Sequence, residues 1–93
     1  MNALTKAEIE REIQNLNNWK YEENHLVKQF EFLDFKEAFA FLTRVALLSE
    51  EMDHHADWSG VYNKVLLKWS THSAGGVSSK DFRAAKTIDS WFM

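Results

Sequence analysis

The sequence of 93 residues contains no cysteine, no proline and only three glycines. Without cysteine there is no disulfide scaffold, no thiol nucleophile and no Cys-ligated metal site, so stability has to come from packing. Without proline no helix is kinked or stopped by a pyrrolidine ring. Gly60, Gly75 and Gly76 fall between periodic stretches as loop punctuation, and no repeat, low-complexity segment or linker divides the chain. Basic charge is scarce as well. Lys+Arg 11 against Asp+Glu 14 leaves a net charge of −3, which supplies no basic face for direct binding of nucleic acid. An apolar run of about 18 residues is missing, and the amino terminus lacks the basic-then-apolar pattern of a signal peptide, so no membrane partner is expected and a cytoplasmic location is.

What the chain does have is 45% hydrophobic and 14% aromatic residues, enough for one core in a single domain over residues 1–93. Thr5 and Glu8 form a capping box, with Leu4 and Ile9 as its staple, and predict a helix with Ile9, Ile13 and Leu16 on its apolar stripe, ending at Asn17-Asn18. Trp19 and Tyr21 then alternate with polar residues, Glu23-Asn24 reads as a turn, and Leu26, Phe30 and Phe32 share one strand face; this is a hairpin. Asp34 with Glu37 caps a second helix running to about Met52. Its stripe holds Phe35, Ala38, Phe39, Leu42, Val45 and Ala46, and Phe41 and Leu48 widen it to roughly 180°, beyond the ~100° a two-layer fold needs. The surplus is expected to face a second subunit.

After Gly60, Val61, Val65, Leu67 and Trp69 alternate with Tyr62, Lys64, Lys68 and Ser70 as one long strand or two short ones. Ser78 and Asp81 form a further capping box, with Val77 and Phe82 as its staple, before a closing helix that carries Ala85, Ile88, Trp91 and Phe92. Helices separated by antiparallel-type strands specify an α+β two-layer sandwich, with the three helices on one sheet face and the other face left to solvent or a neighbour.

Candidate chemistry concentrates between positions 50 and 81. His54, His55 and His72 are accompanied there by Glu50, Asp53, Asp57 and Asp81. Imidazoles donate and accept protons near neutral pH, which makes an acid/base pocket the sharpest reading. Plainer readings exist for each residue: His54-His55 as surface groups closing a helix, His72 as a solvated loop residue, Asp81 as a helix cap, and His25, beside a turn, as surface. A metal site competes poorly, because neighbouring helical residues diverge by about 100° and the i, i+4 His pair is absent. Trp58 and Tyr62 are candidates for a stacking wall. Phosphate loops, serine nucleophile motifs and arginine clusters are missing.

The run Glu50-Glu51-Met52-Asp53-His54-His55, followed by Asp57-Trp58, Val61-Tyr62-Asn63-Lys64-Val65, Ser70-Thr71-His72 and Asp81, resembles the pterin-4a-carbinolamine dehydratases in both composition and spacing. The resemblance implies an α-β-β-α-β-β-α order. It also implies loss of water from a 4a-hydroxytetrahydropterin to give quinonoid dihydropterin in pterin recycling, with no metal or cofactor. His55 would be the central acid/base group, and His54 and His72 would protonate the leaving hydroxyl from alternative faces. Glu50 would orient a histidine, Asp81 would position the ring or His72, and Trp58 would stack or wall the site. A homodimer or homotetramer is implied. Two other roles occur in the family: a dimerisation or transcriptional-coactivator type of binding module, and a part in molybdopterin-type cofactor metabolism. One position departs from the pattern, Ala56 standing where the family usually has proline, which leaves His54 and His55 less rigidly oriented.

Overall fold

The computed structural model describes residues 2–93. Thr5 caps α1 (Lys6–Glu12) through the expected box, its side chain accepting from Glu8 N while Glu8 reaches back to Thr5 N at 2.8 Å. Hydrogen bonding to the carboxyl, from the Thr5 backbone first and then from the Thr5 side chain, holds Glu8 below the usual carboxylate range. The helix is shorter than its stripe. Ile13–Asn15 tighten into a 3-10 turn, and Asn18, at φ 61°, redirects the chain into Trp19. Strands β1 (Lys20–Glu22) and β2 (His25–Glu31) pair across Glu23 and Asn24, both with positive φ, the conformation a two-residue hairpin turn requires.

Helix α2 spans Phe35–Met52. Asp34 accepts from Glu37 N as expected, but Glu37 bonds Leu33 N rather than Asp34 N, so the box is displaced by one residue. The buried face of α2 is also rotated from the expected stripe. Phe41 and Leu48 lie in the core with Ala38, Leu42 and Val45, whereas Phe35, Phe39 and Ala46 are exposed. The reason is aromatic: Phe41 sits 4.6 Å from Phe30, 5.0 Å from Phe32 and 5.7 Å from Phe92 between ring centroids, a cluster that pulls this side of the helix onto the sheet.

The last strand stretch is two strands, β3 (Asp57–Val61) and β4 (Lys64–Trp69), joined by a turn at Tyr62-Asn63, so Gly60 lies inside β3 and does not precede it. Helix α3 (Ser79–Ser90) closes the chain from the expected Ser78–Asp81 capping box. The sheet order is β1-β2-β4-β3, antiparallel throughout. Leu26 and Phe30 of β2 and Val65, Leu67 and Trp69 of β4 point to one side. There they join Ile9 of α1, the buried face of α2, and Phe82, Ala85 and Ile88 of α3 in one core cluster. The three helices therefore share one face of the sheet, as expected of the α+β sandwich.

A polar clamp fixes the layers where apolar packing thins. Asp89 on α3 accepts from Trp19 Nε1 at 2.8 Å and from Asn17 N at 2.9 Å, and Lys28 Nζ donates to the Asn17 carbonyl at 2.6 Å. The opposite sheet face presents His25, Val27 and Gln29 from β2, Leu66 and Lys68 from β4, and Asp57 and Ser59 from β3, by the strict alternation of strand side chains. Among the described residues no helix is long and apolar enough to cross a membrane.

Candidate active site

The end of α2 determines where the adjacent imidazoles go. Asp53 takes a left-handed conformation (φ 50°, ψ 46°), and its N–H bonds Glu50 O at 3.2 Å while His54 N bonds Ser49 O at 2.9 Å. This is the paired-bond termination usually given to glycine. Asp53 thus supplies the sharp stop that the missing proline at position 56 would have reinforced. The turn separates the two imidazoles, sending His54 inward and His55 outward.

His54 is buried, its ring centroid 5.4 Å from that of Trp69 with the planes 30° apart. Its Nε2 bonds Asp81 Oδ1 at 2.5 Å. Asp81 is fully buried, and its other oxygen, Oδ2, accepts from Ser78 N and from Thr71 Oγ1, each at 2.8 Å. The capping reading of Asp81 holds, one oxygen closing the start of α3, while the other oxygen fixes the imidazole of His54, where the expectation named the ring or His72. With Nε2–H donating to the carboxylate, the assigned tautomer leaves the lone pair on Nδ1.

His55 is exposed, and Glu50 Oε2 lies 2.6 Å from its Nε2. An exposed pair of this kind adds little stability, but it orients the ring. Glu50 and His55 are held for this by the last turn of α2 and the Asp53 stop. His72 opens a 3-10 turn (His72–Ala74) that follows β4. The turn is closed by Thr71 N to Gly76 O at 3.0 Å and needs Gly75 at φ 79°, a conformation glycine adopts without cost.

His55 and His72 line one cleft of about 490 Å³ at the end of the uncovered sheet face, together with His25, Asp57, Lys68 and Ser70; the β1–β2 turn and Gly75-Gly76 form its rim. His54 is not among the lining residues, since it lies inside against Trp69 and Asp81. Trp58 is not brought to the cleft either. It pairs in register with Leu67, so its side chain is on the helix side of the sheet, where with Phe35, Phe39 and Tyr62 it lines a separate hollow of about 140 Å³. A third hollow, of about 400 Å³ between α1 and α3, is lined by Arg11, Glu12, Arg83 and Lys86 and carries no imidazole.

His25 belongs to the cleft although its sequence position reads as surface. Strand parity was the available signal: His25 alternates with the core residues Leu26 and Phe30 and so must lie on the uncovered face. What parity could not show is that β2 pairs with β4, which sets His25 beside Ser70 and His72.

The family model for pterin 4 alpha carbinolamine dehydratase matches residues 2–91. A protein of a Synechococcus strain is 46% identical over 86 residues, covering 92% of both chains, and one of Sulfolobus acidocaldarius is 44% identical over 86 residues, covering 92% of this chain and 94% of its own. Both are provisionally named pterin-4-alpha-carbinolamine dehydratases. A crystal structure from Brucella melitensis, described as a transcriptional coactivator/pterin dehydratase, superposes with a TM-score of 0.92 at 33% identity, covering 96% of this chain and 97% of its own.

Proposed function

The chain belongs to the pterin 4 alpha carbinolamine dehydratase family, and on that premise we propose that it dehydrates a 4a-hydroxytetrahydropterin to quinonoid dihydropterin by imidazole acid/base catalysis. The observation that carries the reading is the convergence of His55 and His72 on one cleft. The reaction is redox-neutral. The C4a–O bond breaks as the oxygen takes a proton and leaves as water, and the N5–H electron pair becomes the second bond of C4a=N5 as N5 gives up its proton. One imidazole supplies a proton and another receives one, so nothing else is consumed. His55, oriented by Glu50, is the central acid/base group. His72 delivers the proton to the leaving hydroxyl from the cleft; His54, held by the positioning residue Asp81, is the alternative donor, its Nδ1 lone pair first taking up the proton that it delivers. Each well-placed acid or base contributes about 10²–10⁴-fold, which suffices for a carbinolamine that already loses water slowly unaided.

The test is to generate the 4a-hydroxypterin in place with an aromatic amino acid hydroxylase and to follow quinonoid dihydropterin by ultraviolet absorbance. The expected result is a rate that rises in proportion to added protein. A rate equal to the unassisted one overturns the dehydratase reading.

The same proposal includes a cytoplasmic, homo-oligomeric protein. Strand β3 pairs with β4 on one side only, and beside its free edge Phe35, Phe39, Trp58 and Val61 are all more than half exposed. An open strand edge next to an apolar flank invites a second copy, antiparallel across a two-fold axis. The surplus apolar surface is therefore real, but it lies on the Phe35/Phe39 flank and not at Phe41 and Leu48. Light scattering at micromolar concentration is expected to give at least twice 10.9 kDa, and Val61→Lys to shift the mass toward monomer; a wild-type monomer refutes the assembly. The coactivator description of the Brucella structure supports, as the second reading, a protein-binding role beside the dehydration.

A further inference from the structure

The cleft holds two groups that proton transfer at the 4a carbon does not employ. His25 leaves the β1–β2 turn with its Nδ1 2.7 Å from the Glu23 carbonyl, so Nδ1–H donates there and the second nitrogen, Nε2, presents a lone pair to the cleft. Across β4, the Asp57 carboxylate approaches from β3, with Oδ2 4.0 Å from His25 Nε2. The two strands that carry these residues are not neighbours. Their side chains lean together over Lys68 and Ser70 from opposite sides of β4.

A separation of 4.0 Å is too long for a direct N–H···O bond, which needs about 2.7–3.2 Å. In the tautomer that the Glu23 carbonyl selects, both tips are acceptors. Two acceptors held at that spacing form a seat for a ligand edge that offers two neighbouring donors. On the pterin ring system one edge has this pattern, the N3–H beside the 2-amino group of the pyrimidine ring, the remaining ring N–H groups being isolated. Charge agrees with the assignment, because a carboxylate facing an amino-pyrimidine makes a charge-assisted bond, about twice as strong as a neutral one.

We propose that His25 Nε2 and the Asp57 carboxylate together hold the aminopyrimidine edge of the pterin, setting the ring so that its 4a carbon faces His55 and His72. The proposal rests on the dehydratase reading for the identity of the ligand. It assigns His25 and Asp57 to recognition and orientation, apart from the proton transfers.

The experiment measures binding of a tetrahydropterin under anaerobic conditions by calorimetry, alongside the dehydration assay, for the wild type, His25→Ala, His25→Gln and Asp57→Asn. Both side chains are outside the core, and matching circular dichroism and thermal midpoints establish that the variants are folded. The expected result is a roughly tenfold weaker Kd and higher KM for His25→Ala and Asp57→Asn, with kcat changed less than about threefold. His25→Gln, which can place an amide oxygen near the Nε2 position, recovers most of the loss. An analogue lacking the 2-amino group should bind the wild type and the variants alike. Variants within twofold of wild type for the tetrahydropterin overturn the proposal and show the pair to be a surface contact. Wild-type binding without turnover overturns the dehydratase reading and leaves the edge assignment standing; no wild-type binding overturns both.

Discussion

Replacing Asp81 by alanine is expected to lower the unfolding free energy by about 3–5 kcal/mol, a loss in the range seen when one partner of a buried charged network is removed. In a domain of this size that corresponds to a fall in Tm of about 15–30 °C. The magnitude follows from what is orphaned. Ser78 N and His54 Nε2 lose their acceptor, and the Thr71 hydroxyl is left with the Ser78 hydroxyl alone, at a buried site. The capping contribution alone is about 1 kcal/mol, so a loss confined to that value would show that the His54 bond adds nothing. Asp81→Asn separates the two roles. The amide oxygen can still accept from Ser78 N and Thr71, which should limit the loss to about 1–2 kcal/mol. The amide nitrogen, however, is then a donor facing His54, which must move its proton to Nδ1 in order to accept. Folding then survives while the lone pair of Nδ1 is lost, so the dehydration rate should fall much further than stability. Urea unfolding and the dehydration assay, run on both variants, check this; equal stability losses for Ala and Asn would refute the assignment.

That dual use of Asp81 marks the limit of what could be read from residue order. Capping boxes, the hairpin turn and the helix-strand sequence depend on short-range chemistry, and the Thr5–Glu8, Glu23-Asn24 and Ser78–Asp81 signals all correspond to observed features. Helix α2 was legible in its extent but not in its rotation. A stripe about 180° wide has two edges, and the choice between them was made by Phe30, Phe32 and Phe92, which are distant in sequence from Phe41. The site shows the same division. Proximity in sequence singled out His54, His55 and His72. It could not show that the Asp53 stop turns neighbouring imidazoles apart, that Asp81 reaches His54 before His72, or that Trp58 falls on the helix side of β3. His25 needed the β2–β4 pairing, a contact between strands separated by the whole of α2.

His55→Ala and His72→Ala are each expected to lower kcat by about 10²–10⁴-fold with little change in stability. Both side chains are exposed and neither supports the core, so these variants report on chemistry more cleanly than His54→Ala, which would leave the Asp81 carboxylate buried without its imidazole. If His55 takes the N5 proton while His72 serves the leaving oxygen, the double variant should fall by less than the product of the single losses, because groups acting in one proton exchange are not additive. Glu50→Gln should cost far less, about tenfold or below, since it frees the His55 ring without removing it. A His72→Ala variant that keeps wild-type kcat would place the proton donor on His54 alone, its Nδ1 lone pair first taking up the proton that it then delivers. In that case Asp81→Asn and His55→Ala should be the two most damaging changes, and the cleft would run its acid and base from the two neighbouring histidines that the left-handed Asp53 sets apart.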